Sequence, residues 1–132
     1  MSPEDAWNHV SNLSNLGDWL VMHEGWRGEV PAELSEGTTL VGVASAKGLR
    51  NRVTWTIQKI TPPELLEVTG KGVGGTKYGL KMAVQPTASG CIFTVTINLG
   101  GPPLFGPIGA AAARAVKGDI ERSIRQFERL YA

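Results

Sequence analysis

Gly70-Lys71-Gly72-Val73-Gly74-Gly75 has the spacing GxGxxG, which at a strand-to-helix turn lets backbone amides approach the pyrophosphate of a dinucleotide. The residues that follow alternate apolar and polar as a strand does, so no helix N-terminus receives a phosphate. The segment is expected to be a glycine-rich turn between antiparallel strands. No Lys-Ser or Lys-Thr pair follows Gly75, so a phosphate-binding P-loop is rejected as well. His9 and His23 are the only histidines, and neither lies four residues from a second ligand or beside a nucleophile-and-acid set. They read as surface or helix-flank residues. Cys91 is the single cysteine; it excludes an internal disulfide and a cysteine-rich zinc set, and its place on an apolar strand face predicts an inert buried thiol. No metal, cofactor or catalytic residue is expected. Asp119 and Ser123 fall near the inner edge of the last helix, where a carboxylate is costly to bury alone. Asp119 is therefore expected either to turn outward or to meet a donor such as Arg52 or an indole N–H. A raised pKa would make it a general-acid candidate; the plainer reading is a residue at the sheet edge. Trp7, Trp19, Trp26 and Trp55 bring apolar surface with one donor each. Trp55 is the best placed to line a pocket.

The remaining composition bounds the partners. A chain of 132 residues with net charge +1 and 42% hydrophobic residues fits one domain, residues 1–132, with a core of its own. No basic stripe points to nucleic acid. The opening Met1-Ser2-Pro3-Glu4-Asp5 lacks the basic start and apolar run of a secretory signal. The long weakly charged stretch from Ile92 to Ala113 is broken by Gly100-Gly101-Pro102-Pro103 and Gly106-Pro107, which argues against a membrane span. A reducing, cytoplasmic setting is expected.

Two short helices should open the chain. Ser2 suits an N-cap and Pro3 the first helical position, giving a helix from Pro3 to Ser11 and a second helical turn from Ser14 to Trp19. From Gly25 the period falls to two. Strands are expected at Trp26–Val30, Thr39–Lys47, Asn51–Thr61, Leu65–Gly72, Lys77–Gln85 and Cys91–Leu99. Gly48-Leu49-Arg50, Pro62-Pro63 and Thr87-Ala88-Ser89-Gly90 are hairpin-sized connections, so the strands should pair as an antiparallel meander. Val53, Trp55 and Ile57 alternate with polar neighbours, as do Tyr78, Leu80, Met82 and Val84, and Phe93, Val95, Ile97 and Leu99. One face meets a core and the other meets water.

A closing helix from Pro107 to Leu130, capped by Gly106, would be about 36 Å long. Its inner stripe runs through Ile108, Ala112, Ala115, Val116, Ile120, Ile124, Phe127 and Tyr131, with Arg114, Lys117, Glu121, Arg125 and Arg129 outside. The first half of the stripe is small and the second half bulky. Small residues leave room, which is closed by tight packing against the sheet or kept as a cavity. An unfilled void costs about 24 cal/mol per Å³, so a kept cavity must hold water or a ligand.

This order of elements, with Asn51-Arg52-Val53-Thr54-Trp55-Thr56-Ile57, Gly72-Val73-Gly74-Gly75-Thr76-Lys77 and Gly100-Gly101-Pro102-Pro103-Leu104-Phe105-Gly106-Pro107-Ile108-Gly109, resembles the SRPBCC superfamily. That START-like group includes polyketide cyclases and the birch-pollen allergen. The likeness covers nearly the whole chain and is greatest to an actinobacterial subgroup regarded as the toxin half of toxin–antitoxin pairs. It implies an α+β helix-grip fold, an antiparallel meander curled around a long C-terminal helix. It also implies a cavity for lipids, sterols, hormones or polyketides. The sheet is expected to contribute Trp55, Tyr78, Met82, Phe93 and Val95 to its wall, and the helices Trp19, Ala112, Val116, Asp119 and Ile120. Relatives carry a further strand before the first helix that pairs with the last strand; without it the Cys91–Leu99 edge would be open, through a missing N-terminal segment or in favour of a homodimer. Three functions follow as expectations. The first is a non-catalytic carrier or sensor of a small apolar ligand. The second is a cyclase- or dehydratase-like enzyme using Asp119, His9 or His23. The third is a toxin acting through a protein partner and held by an antitoxin.

Overall fold

The computed structural model describes residues 1–46, 49–101 and 107–131. Its first helix, α1 (Pro3–Val10), starts where Ser2 Oγ accepts the Asp5 N–H at 3.1 Å and Pro3 occupies the first turn. It ends at Ser11, whose N–H bonds to Trp7 O. Ala6, Trp7 and Val10 are buried beneath it. A 3-10 turn over Leu13–Asn15 leads into α2 (Leu16–Trp19), and Leu13, Leu16 and Trp19 all point inward.

Six strands follow: β1 (His23–Arg27), β2 (Thr39–Ala46), β3 (Leu49–Thr61), β4 (Leu65–Gly72), β5 (Lys77–Thr87) and β6 (Gly90–Gly100). They pair antiparallel in sequence order, β1-β2-β3-β4-β5-β6, the meander that short connections dictate. Among the described residues β6 ends the ladder opposite β1. The inner face carries Val53, Ile57, Leu66, Leu80, Met82 and Val84, all buried, and such side chains each contribute about 1.5–3 kcal/mol on leaving water. Their neighbours Arg52, Thr54, Lys81 and Gln85 are exposed. The strand alternation thus gives an α+β helix-grip architecture.

The first strand departs from expectation. It spans His23–Arg27, with a bulge between His23 and Gly25, and not Trp26–Val30. Only Val41 to Ala44 of β2 face it, so Glu29 to Pro31 fall beyond the ladder, and Pro31 has no N–H to extend it. Strand β3 also begins earlier than expected, so Leu49 and Arg50 belong to the ladder and not to the turn. Lys47, Gly48 and the expected Gly106 cap lie outside the described residues.

Helix α3 (Pro107–Tyr131) lies against the sheet and contacts β6, β2 and α2. Its bulky half is locked by aromatic packing. Phe127 sits 5.2 Å from Trp19 and 4.7 Å from Phe93, ring centre to ring centre, and Trp19 lies 5.6 Å from Phe93. The fully buried Ser123 accepts the Val21 N–H at 3.0 Å and donates to Asp119 O at 2.7 Å. One hydroxyl therefore ties the α2–β1 connection to α3. Asp119 does not meet Arg52 or an indole; its partner is Arg122, one turn along the same helix. That arginine reaches over the carboxylate from the exposed side, so Asp119 needs no donor from the sheet.

Candidate functional site

The small half of α3 does not close onto the sheet. Ala111, Ala112, Ala115 and Val116 roof a cavity of about 620 Å³, within the range of small-molecule sites. Its floor is built from β2, β3, β4 and β5 through Leu40, Trp55, Val68, Tyr78 and Leu80, and Leu13, Leu16 and Leu20 close one side. Ile97 and Leu99 close the other. A second depression of about 580 Å³ lies on the sheet edge between Glu64, Lys81 and Ile92; it is more open, and its lining mixes Glu64, Lys81 and Gln85 with apolar residues, unlike the cavity under α3.

Three glycines shape the floor. A Cβ on Gly42 would lie 3.1 Å from both the His23 and Trp26 rings, and one on Gly70 would lie 2.5 Å from Val53 and 2.8 Å from Trp55. A Cβ on Gly72 would lie 2.5 Å from Asn51 Nδ2 and 2.8 Å from the Tyr78 ring. At distances below 3.0 Å a side chain could enter only if these neighbours moved, so Gly70 and Gly72 are where the aromatic and polar groups of β3 and β5 lie over the sheet. Gly74 and Gly75, at φ of 80° and 85°, make the turn into β5, a conformation that side chains disfavour. The GxGxxG spacing is thus the cavity floor and the turn beyond it, in agreement with its reading as a turn between strands.

Polar groups gather at the end of the cavity near the β2–β3 and β4–β5 connections. Asn51 Nδ2 donates to Tyr78 Oη at 2.8 Å, while Asn51 Oδ1 accepts the Val73 N–H at 3.0 Å. Val73 itself is 72% exposed at this end. Arg50 on the rim pairs with Glu24 at 3.1 Å. His23 is in the wall and only 7% exposed, its ring 4.3 Å from that of Trp26. No partner reaches its Nε2 among the described residues. Burial lowers its pKa from 6.5 to about 4, because a charged imidazolium would be cut off from water. The surface or helix-flank placement expected for His23 is therefore corrected. The other histidine keeps its flank position, stacked on Tyr131 at 3.9 Å.

Of the residues singled out from sequence, Trp55, Tyr78, Ala112 and Val116 meet around this cavity. Trp19, Met82, Phe93, Val95 and Ile120 pack in the core cluster or against it, and Asp119 lies with Arg122 on the flank of α3. Cys91 is only half-buried, with its Sγ 3.9 Å from Ser2 O. His23, Asn51 and Thr76 join the wall without a motif to mark them. For Asn51 the signal was its alternation with Val53 and Trp55, which puts it on their face. Trp26 is held in the wall by its Nε1–H, which donates to Leu13 O at 2.6 Å.

Comparison with known proteins agrees with this geometry. The family described as polyketide cyclase / dehydrase and lipid transport matches residues 1–132. The Mycobacterium tuberculosis protein Rv1546 is 57% identical over 99% of this chain and 92% of its own length. The protein named Toxin Rv0910, from the same organism, is 39% identical over 100% of this chain and 92% of its own. A crystal structure from Chromobacterium violaceum shares the fold at a TM-score of 0.66 and 16% identity, covering 98% of this chain and 89% of that one. A Rhodobacter sphaeroides structure does so at 0.66 and 19%, covering 98% and 84%. From its sequence match over the full length and the helix-grip fold that carries it, the chain belongs to the polyketide cyclase / dehydrase and lipid transport family.

Proposed function

We propose that the chain binds a small apolar molecule, lipid-like or polyketide-like, in the cavity between sheet and α3, and does so without catalysis. The observation that carries this reading is the apolar cavity of about 620 Å³ roofed by alanines. Trp55, Tyr78, Ala112 and Val116 would touch the ligand, while Trp19, Met82, Phe93, Val95 and Ile120 belong to the adjoining core. A cyclase would need an acid–base pair within hydrogen-bond reach of the substrate. The wall contains His23, but among the described residues no carboxylate lines it. Native mass spectrometry of the purified chain, before and after denaturation, tests the reading. A small apolar molecule released on denaturation is the expected result. A chain that carries none, and whose tryptophan fluorescence is unmoved by apolar probes, would sink it.

A further inference from the structure

We infer that the Tyr78 hydroxyl is a hydrogen-bond donor to a neutral oxygen on the ligand, such as a ketone or ester carbonyl, and that Asn51 and Gly72 set it in that role. The inference rests on the cavity-binding reading and adds the chemistry and orientation of the ligand. Asn51 Oδ1 takes the Val73 N–H, which fixes the amide so that Nδ2 must face Tyr78. Nδ2 then donates to the Tyr78 oxygen at 2.8 Å. A phenol oxygen that accepts still has its own proton to give. Tyr78 is half-buried and lines the cavity, and among the described residues no protein acceptor takes that proton. The proton is left to a molecule in the cavity, water until a ligand replaces it.

The pair has a dedicated space. A Cβ at Gly72 would collide with Asn51 Nδ2 and the Tyr78 ring together, so a side chain there would push the Asn51–Tyr78 pair out of its present geometry. The acceptor should be neutral. Arg50 is the one cation in the wall among the described residues, and Glu24 already pairs with it. Glu24 balances the Arg50 charge through Nε, so a carboxylate entering this end would lose water and gain less there than beside an unpaired cation. The remainder of the wall is apolar, through Leu16, Leu40, Val68, Leu80 and Val116. The ligand therefore lies with its oxygen at Tyr78 and its hydrocarbon body toward Leu16 and Leu40.

Two probes of similar size, 1-acetylpyrene and 1-isopropylpyrene, differ in that the second has a C–H and a methyl group in place of the carbonyl oxygen. Tryptophan fluorescence of the full chain reads both titrations, since the Trp55 ring lies 5.7 Å from that of Tyr78. The ketone should bind about fivefold to tenfold more tightly, the worth of one neutral hydrogen bond. Its infrared carbonyl band should move to lower frequency on binding. In Tyr78→Phe the ketone should fall to the affinity of the alkyl probe or below it, and its band should return. Equal affinities in the unaltered chain, an unmoved carbonyl band, or a preference that survives Tyr78→Phe would each overturn the inference while leaving the cavity reading in place. Binding of neither probe would overturn both. The unaltered chain alone decides the matter through its preference and its carbonyl band, even where Tyr78→Phe fails to fold.

Discussion

Burial of a neutral imidazole makes His23 a point where pH acts on the fold. The ring is enclosed by Trp26, Gly42 and Gly17, and burial holds its pKa near 4 against 6.5 in the open chain. The unfolded chain therefore takes up a proton near pH 6.5 and the native chain only near pH 4. Stability from this group is fully present above pH 6.5, falls as the pH drops from about 6.5 to about 4, and is flat below that. At 1.36 kcal/mol per pKa unit, and with some allowance for solvent screening, the loss is on the order of 2 to 3 kcal/mol. Urea unfolding at a series of pH values should show this slope in the unaltered chain and lose it in His23→Leu. Carboxylates that titrate near pH 4 affect both chains alike, so the difference between them isolates His23. Parallel stability profiles would refute the assignment. Sequence could not reveal this residue, because burial and not spacing makes it special, and its burial depends on β1 starting three residues earlier than the alternation implied. Asn51 and Tyr78 were different: each stood on a readable strand face, and what stayed hidden was that Gly72 lets them meet.

At the scale of elements, α3 does two jobs with one stripe. From Ile120 onward its side chains reach the Trp19–Phe93–Phe127 cluster and lock the helix; from Ala111 to Ala115 they stop short and leave the cavity. The size change along the stripe was legible in the sequence, and with it the two possibilities of tight packing or a pocket. What the stripe could not show was the floor, where Trp55 lies over Gly70 and lines the cavity that the alanines roof. Ala112→Phe should therefore fill space without overpacking. Its expected effect is at least a tenfold loss of 1-acetylpyrene affinity in a fluorescence titration, with the thermal midpoint unchanged or raised, as for other cavity-filling changes. A midpoint lowered by several degrees, as an overpacking cost of about 1–3 kcal/mol implies, would show that the roof has no room to spare. Undiminished binding would place the probe elsewhere.

For the whole molecule, the size of the cavity sets a thermodynamic constraint. At about 24 cal/mol per Å³, a dry void of about 620 Å³ would cost about 15 kcal/mol, as much as the whole stability of a typical domain. The cavity therefore exists filled, with water entering at the polar end or with a ligand. Water along walls of Leu, Val and Trp is poorly bonded, so an apolar molecule that replaces it gains the hydrophobic free energy. That free energy belongs to the native state, because the unfolded chain has no cavity. At a free concentration one hundred times its Kd, a ligand should add about 2.7 kcal/mol. For a chain of this length that is a rise in Tm of about 10 °C. Thermal unfolding with saturating 1-acetylpyrene measures it directly. A probe that quenches tryptophan fluorescence yet leaves Tm unmoved must bind the unfolded chain equally well, and the cavity would then not be where it binds.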